Sequence, residues 1–320
     1  MLPTLPPAQL PAQIQVQPTS REVTFPGFNG LPLQGTVLAA PAGSWFAVLV
    51  ADSGPLDRDW ANPTLPGSHG GKALAEWLQD QGIASLRFDK RIHGRRDPGL
   101  DSSLDAQAGD VLAALDAARS LPEARGRRPL LVGHGEGALL ALLAARRADA
   151  LLLLAMPPRS MAGSIAEQVK AQLPVAIAQP NLAYLEAVFQ AIRDRQPTPG
   201  PGPEVHPALA RLGAGLMAPE TLDYVRATLD LDAWALAARA AVPVAVAWGD
   251  RDIQAWKPAV IPPSFQGTVL EIPGANHLFK RETRPRAVLD GAAALAGYGD
   301  EIPLADLTPV ARWLKGLPGS

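Results

Sequence analysis

The chain contains no cysteine among its 320 residues. Disulfide bonds, cysteine nucleophiles and thiolate metal sites are therefore excluded. Excess charge of either sign is also missing, because 29 basic and 31 acidic residues leave a formal net charge of −2. That balance gives no electrostatic basis for binding nucleic acid or an anionic membrane.

Long apolar runs and metal-binding histidine spacings are missing as well. No apolar run in the sequence reaches the length of a membrane span. The five histidines show neither H-x-x-x-H nor H-E-x-x-H spacing; they are His69, His93, His134, His206 and His277. We therefore expect a soluble protein with no metal, no cofactor and no nucleic-acid or membrane partner. The compartment, cytoplasmic or exported, and the oligomeric state stay open.

One motif stands out among the residues that are present. Residues 133–137 read Gly-His-Gly-Glu-Gly, which is a nucleophile-elbow motif, G-x-S-x-G, with Gly135 where serine is expected. In such an elbow a strand turns sharply into a helix and projects the central side chain above the sheet. The apolar run 128–132 predicts the strand and residues 138–145 predict the helix. A glycine-rich turn alone would equally suit a phosphate site.

The rest of the sequence favours the elbow. A catalytic triad on this type of fold follows the chain order nucleophile, acid, base. The predicted strand 244–248 is followed by Gly249-Asp250-Arg251-Asp252, and the predicted strand 268–272 is followed by a loop containing Asn276-His277. A carboxylate to orient an imidazole and a histidine to carry the proton are therefore present in the right order.

These motifs give the chain a specific resemblance. It resembles the α/β-hydrolases of the bacterial serine carboxylesterase type, with G-H-G-E-G at 133–137, G-D-R-D-I-Q at 249–254 and N-H-L-F at 276–279. Residues 52–59 and 88–91 are similar to the family's oxyanion loop and its Y-D-K-R segment. The resemblance covers nearly the whole chain from about Arg21. The chain departs from the family at Gly135, at Asp52 where glycine is frequent, and at Ile92.

The resemblance implies a role for each matching residue. The nucleophile position is Gly135, the acid is Asp252 rather than its competitor Asp250, and the base is His277. The backbone N–H groups of Ser53, or its neighbour Gly54, and of Glu136 would form the oxyanion hole.

Two side chains near these positions have alternative roles. Ser53 is a less favoured replacement nucleophile, because an oxyanion loop turns backbone amides toward the substrate. The Glu136 side chain is expected to pair with Arg58, Lys90 or Arg91 rather than to act in catalysis.

The order of predicted elements indicates an α/β fold with a mostly parallel sheet and a helical cap. We expect an extended arm over residues 1–20, a catalytic domain over 21–155 and 236–320, and a cap over 156–235. An antiparallel strand pair is expected on either side of Asn29-Gly30. Trp60 and Trp256 are candidate substrate contacts, while the apolar residues of the cap are expected mainly to pack against one another.

Two functions remain open at this point. One is a carboxylic ester hydrolase acting on a small-molecule ester, with its serine removed by an engineered substitution. The other is a natural pseudo-hydrolase that binds a ligand or a partner without chemistry. Intact Asp252 and His277 favour the first, and in that case Gly135→Ser should restore hydrolysis by an acyl-enzyme route. In both cases the chain as it stands is expected to be inactive or nearly so.

Overall fold

The computed structural model describes residues 20–41, 43–61, 67–95, 97 and 99–319. Almost all of the arm expected over residues 1–20 lies outside the described residues. Within them, eight strands form one sheet: β1 Ser20–Pro26, β2 Pro32–Leu38, β3 Trp45–Val50, β4 Ala84–Phe88, β5 Arg128–His134, β6 Ala150–Leu154, β7 Val244–Gly249 and β8 Thr268–Ile272. The order across the sheet is β1-β2-β4-β3-β5-β6-β7-β8.

The sheet is parallel from β4 through to β8 and antiparallel at one edge. β1 pairs with β2 in register Ser20↔Leu38, and β2 pairs antiparallel with β4. The turn between β1 and β2 contains Asn29 at φ 55° and Gly30 at φ 76°, conformations that asparagine and glycine adopt more readily than other residues. The antiparallel pair expected around Asn29-Gly30 is confirmed.

Ten helices cover and extend this sheet in the part of the chain that the structure describes. They are α1 Gly70–Asp80, α2 Leu104–Ser120, α3 Glu136–Leu143, α4 Met161–Gln172, α5 Val175–Asp194, α6 Pro207–Leu216, α7 Pro219–Thr228, α8 Ala233–Ala238, α9 Gly291–Ala296 and α10 Thr308–Lys315. No helix among the described residues combines the length and apolarity needed to cross a bilayer.

The central strands are apolar on both faces because helices cover both faces of a parallel sheet. All residues of β3, β6 and β7 are buried. The core therefore runs through the sheet and fixes the carboxyl ends of these strands relative to one another. The mostly parallel, helix-flanked sheet expected from the sequence is confirmed.

A second apolar cluster lies in the insertion between β6 and β7. It is centred on α5 and includes Leu185, Val188, Phe189 and Ile192, all at most 2% exposed, together with Leu229. Helix α8 instead packs with the main core, where Trp234 contacts Trp248 and Phe265. The part of the insertion with its own core thus ends before α8.

Candidate functional site

The elbow lies between β5 and α3, and Gly135 is its central residue. Gly135 has φ 54° and ψ −120°, a backbone conformation that costs a non-glycine residue about 1–3 kcal/mol. Its N–H donates to Leu154 O of the neighbouring strand at 2.9 Å, and its carbonyl accepts from Ala138 N at 3.1 Å. The turn is therefore held on both sides, in the conformation that would present a nucleophile.

The predicted acid and base lie next to each other. Asp252 follows β7 and His277 follows β8, and the His277 Nδ1 to Asp252 Oδ2 distance is 2.7 Å. Asp252 is fully buried, and its Oδ1 accepts from the backbone N–H groups of Gln254 and Ala255 at 2.7 and 3.1 Å. Asp250 does not reach the histidine, since its Oδ1 accepts from Gly274 N at 2.7 Å. The structure therefore places Asp252, rather than Asp250, beside the base.

The side chain of Asp52 fills the space that a side chain at position 135, the predicted nucleophile position, would need. An ideal Cβ built on Gly135 would overlap the Asp52 carboxylate and would lie only 2.5 Å from Oδ2. Asp52 comes from the loop after β3, which reaches Gly135 because β3 and β5 are parallel neighbours with Val50 opposite Gly133. The glycine at position 135 thus makes room for a carboxylate that a serine would exclude.

The Asp52 carboxylate occupies the donors that an acyl-transfer site would keep for substrate. Its Oδ1 accepts from the backbone N–H groups of Ser53 and Glu136, both at 2.7 Å. Its Oδ2 lies 3.0 Å from His277 Nε2. The two predicted oxyanion donors do converge on one point, and the oxygen at that point belongs to the protein itself.

Two opposing effects set the charge of this pair. Burial disfavours ionised His277, but the charge of Asp252 and hydrogen bonds to Asp252 and Asp52 outweigh it and raise the His277 pKa to about 10. Burial likewise disfavours the Asp52 carboxylate, yet its hydrogen bond with His277 and the nearby imidazoles lower the Asp52 pKa well below its usual range. At neutral pH an imidazolium therefore lies between two carboxylates.

His134, the second residue of the elbow motif, lies directly beneath this pair. Its ring is 1% exposed and stacks on Trp60 with ring centroids 4.8 Å apart. Its Nε2 lies 2.8 Å from the backbone oxygen of His277 and must carry the proton, because a carbonyl only accepts. Burial and the nearby His277 lower the His134 pKa to about 4, so the ring is neutral and Nδ1 bears a lone pair.

Glu136 is held away from the reacting position by a structural ion pair. Lys90 Nζ donates to Glu136 Oε2 at 2.5 Å and to the backbone oxygen of Asp52 at 2.8 Å. The Tyr224 hydroxyl of α7 donates to the other Glu136 oxygen. Of the three partners considered from the sequence, Lys90 is the one that pairs, since Arg58 contacts Asp89 and Arg91 contacts Asp110.

A cavity of about 190 Å³ opens beside Asp52, Gly135 and His277. Its wall combines apolar side chains from α3 and α4 with polar ones; they include Leu139, Met161, Ile165, Gln168, Tyr224 and Gln254. The two tryptophans predicted as substrate contacts lie elsewhere. Trp60 is 4% exposed and packs on His134, and the Trp256 ring lies against Arg286 with 5.0 Å from the guanidinium carbon to the ring centroid. Neither tryptophan is among the residues that line this cavity.

Sequence reasoning missed Asp52 and His134 as members of the site. Asp52 was visible only as a departure from the family's frequent glycine, and it accompanies the departure at Gly135. Positions 52 and 135 lie next to each other in this type of fold, and both depart from the family pattern. That pair of departures is the signal that could have shown that the Asp52 side chain fills the space at position 135.

Comparison with known proteins bears on the fold. The sequence matches no protein-family model and no curated protein. A hypothetical protein from Pseudomonas aeruginosa is similar in structure at a TM-score of 0.51 and 16% identity, over 95% of each chain. An esterase from Pyrococcus furiosus is similar at a TM-score of 0.50 and 14% identity, over 86% of this chain and 88% of the esterase. A dienelactone hydrolase from Anabaena variabilis has a TM-score of 0.49 at 14% identity, over 94% and 99% of the two chains.

The two likenesses with a TM-score of 0.50 or more, together with the eight-stranded sheet and its strand order, show that the chain has the α/β-hydrolase fold. At such identities the shared feature is the fold, and function has to be argued from the site.

Proposed function

We propose that this chain is a small-molecule-binding protein of hydrolase lineage that does not form an acyl-enzyme. The observation that carries the proposal is the position of the Asp52 carboxylate, which fills the space of a side chain at 135 and accepts from both oxyanion-hole amides. The ligand would be an ester-sized, largely apolar molecule, because the cavity measures about 190 Å³ and contains Leu139, Met161 and Ile165 in its wall.

An acylating site needs three groups that are free to act. Two backbone donors must be available for the developing oxyanion, and the histidine Nε2 must accept the nucleophile's proton. In this chain Asp52 engages all three groups, through Oδ1 on the amides and Oδ2 on His277. Removing a serine hydroxyl alone would leave these groups available.

The arrangement therefore favours a natural pseudo-hydrolase over an esterase with an engineered Ser-to-Gly change. Gly135 and Asp52 fit each other, since either one alone in a serine esterase would leave a gap or a clash. The expectation that Gly135→Ser restores hydrolysis is accordingly revised to a small rate, because the incoming serine must also displace the Asp52 carboxylate.

The experiment compares the parent chain with Gly135→Ser, Asp52→Ala and the double variant, using short aryl esters in buffer that contains EDTA. We expect no acyl-enzyme turnover by the parent and a small rate for Gly135→Ser. In Gly135→Ser the displaced Asp52 carboxylate stays in the site, where its negative charge opposes the developing oxyanion. The double variant regains the hydroxyl and removes that charge, and we expect it to exceed Gly135→Ser about 100-fold, since the stabilisation that an oxyanion-hole donor supplies is worth about 10²–10³ in rate. Calorimetric titration of the parent with the same ester should show binding with the ester recovered intact.

A control variant tests whether His277 acts as the base. Adding His277→Gln to the double variant should abolish its turnover, because that change removes the base. Full activity of Gly135→Ser alone would support the engineered-esterase explanation instead. Multiple turnovers by the parent, with acylation of any residue, would contradict the proposal.

A further inference from the structure

A buried nitrogen without a partner lies next to the Asp52–His277 pair. His134 Nδ1 has no hydrogen-bond partner among the described residues, although the ring is 1% exposed. Buried polar atoms are nearly always paired, so an exception calls for a physical explanation. The nitrogen lies 3.9 Å from Asp52 Oδ2. Both atoms carry lone pairs, and two such atoms attract each other only through a cation or a donor between them.

Three ligand-type atoms converge at this point. Asp52 Oδ2, His134 Nδ1 and His277 Nε2 all lie within 4.8 Å of one another. We propose that these three atoms form a binding site for a single divalent transition-metal ion of the Zn²⁺ class. Two imidazole nitrogens and one carboxylate oxygen are an established ligand set for such ions.

The separations suit a metal of that size. Zn²⁺ binds imidazole nitrogen at about 2.0–2.1 Å in tetrahedral geometry, which places neighbouring ligand atoms roughly 3.3 Å apart. The His277 Nε2 to Asp52 Oδ2 distance is 3.0 Å and the His134 Nδ1 to Asp52 Oδ2 distance is 3.9 Å. These two distances fall on either side of the required value, and the third, between the two imidazole nitrogens, is at most 4.8 Å. Ligation therefore needs side-chain movements of up to about 1.5 Å.

Each ligand is also oriented by a partner on its far side. His277 Nδ1 donates to Asp252, and His134 Nε2 donates to the His277 backbone oxygen, so both rings direct their other nitrogen into the site. Without metal, His277 Nε2 carries a proton toward Asp52, and the bound ion takes the place of that proton, which is released to solvent. Asp52 Oδ1 is held by two backbone amides, which leaves Oδ2 to face the imidazoles. Partners of this kind orient the ligands in most metal sites and raise metal affinity.

The proposal explains why position 135 is glycine. A Cβ there would push the Asp52 carboxylate away from the two imidazoles. Asp52 and His277 also line the 190 Å³ cavity, whereas His134 lies behind them. Zinc sites that keep an open coordination position have three protein ligands and one side of the ion that faces a cavity, which is the arrangement found here. The metal proposal stands on these contacts alone and does not depend on the proposed function.

The histidine spacings in the sequence predicted no metal, because the three ligands come from the ends of three different strands. Residues 52, 134 and 277 follow or end β3, β5 and β8, and only the folded sheet edge brings them together. Spacing within one helix or loop cannot detect such a site.

The test titrates the full chain, stripped with EDTA and dialysed, with Zn²⁺ against a chromophoric chelator. We expect one Zn²⁺ per chain. Asp52→Asn and His134→Gln each remove a ligand and should weaken binding at least about 100-fold, while Asp252→Asn, which alters only an orienting partner, should weaken it about 10–100-fold. Gly135→Ala keeps every ligand but displaces Asp52, and should also weaken binding. His206→Gln, at the start of α6, is the matched control and should bind as the parent does.

X-ray absorption spectroscopy of the zinc-loaded parent identifies the ligand atoms directly. Because it uses no variant, its result does not depend on whether a variant folds. We expect two imidazole nitrogens and at least one oxygen at about 2.0–2.1 Å. The proposal is overturned if the folded parent binds no stoichiometric zinc, if Asp52→Asn and His134→Gln bind as tightly as the parent, or if the absorption spectrum shows fewer than two imidazoles.

Discussion

The fit between Gly135 and Asp52 predicts that mutations at the two positions are energetically coupled. Serine at 135 must adopt φ near 54° and ψ near −120°, which costs about 1–3 kcal/mol of strain. Its Cβ also forces the Asp52 carboxylate to rotate away. That movement breaks the three hydrogen bonds of Asp52 to Ser53 N, Glu136 N and His277 Nε2.

The size of the effect follows from these contacts. A single hydrogen bond to a charged group contributes about 1.5–3 kcal/mol. The Asp52 side chain is 21% exposed, so water can replace part of what is lost. We therefore assign about 2 kcal/mol to the three bonds together. Replacing glycine also restricts the unfolded chain, which returns about 0.4–1 kcal/mol. Gly135→Ser alone should thus lower the free energy of unfolding by about 2–4.6 kcal/mol.

Asp52→Ala removes the same three hydrogen bonds and should cost about 2 kcal/mol. In the double variant those bonds are lost only once, so its cost should fall short of the sum of the two single costs by about 2 kcal/mol. Urea melts of the four proteins, analysed with a common denaturant slope, measure this difference.

Gly94→Ser provides the control for backbone strain. Gly94 also has a positive φ, 63°, but no atom lies within 4 Å of an ideal Cβ there. Its cost should therefore add to that of Asp52→Ala without coupling. If the 52 and 135 mutations were additive within about 0.5 kcal/mol, the proposed contact between them would be refuted.

Three further predictions concern labelling, the ion pair beside the elbow and the close packing beneath it. A fluorophosphonate should not label the parent, but should add one adduct at position 135 of Asp52→Ala/Gly135→Ser, as measured by intact and peptide mass; an adduct on Ser53 of the parent would show that the nucleophile was misassigned. Lys90→Met leaves the 14%-exposed Glu136 side chain without its cation and should lower the free energy of unfolding, measured by urea melts, by about 3 kcal/mol. Adding Glu136→Gln should recover part of that loss. A loss below about 1 kcal/mol would show that water already solvates the pair. Gly133→Ala places a Cβ 2.6 Å from the Ala138 backbone and should lower the free energy of unfolding by about 3 kcal/mol. Gly215→Ala on α6 meets no atom within 4 Å and should be nearly neutral. Equal thermal midpoints of the two variants would contradict the packing argument.

The secondary structure was largely predictable from the sequence. The strands β3 to β7 are short apolar runs that end at polar or glycine-rich turns, and the helices α1 and α2 follow the expected apolar spacing. The pattern works because a helix-covered parallel sheet requires continuous apolar strands. That Asp252 and His277 lie close together was also predictable, since they follow neighbouring parallel strands and the carboxyl ends of such strands meet at one edge. Asp252 and His277 meet there at 2.7 Å.

The position of the Asp52 carboxylate in the site could be learned only from the tertiary structure. Asp52 was visible as an unusual residue, but its sequence position does not tell where its carboxylate points. That direction depends on the turn after β5, on the space left by Gly135 and on two amides from different loops. Trp60 illustrates the same limit, because its place beside the oxyanion loop indicated a substrate contact, whereas the folded chain stacks it on His134.

The amino-acid pattern was therefore enough to predict the strands and helices, their order along the chain and the edge of the sheet at which Asp252 and His277 meet. The folded chain shows that the Asp52 carboxylate fills the space of a side chain at position 135, that it accepts from the amides of Ser53 and Glu136, and that His134 Nδ1 faces it. The physical reason is that periodicity and turn chemistry act over a few neighbouring residues. The contacts of this site join residues 52, 135 and 277, which become neighbours only after the whole sheet has formed.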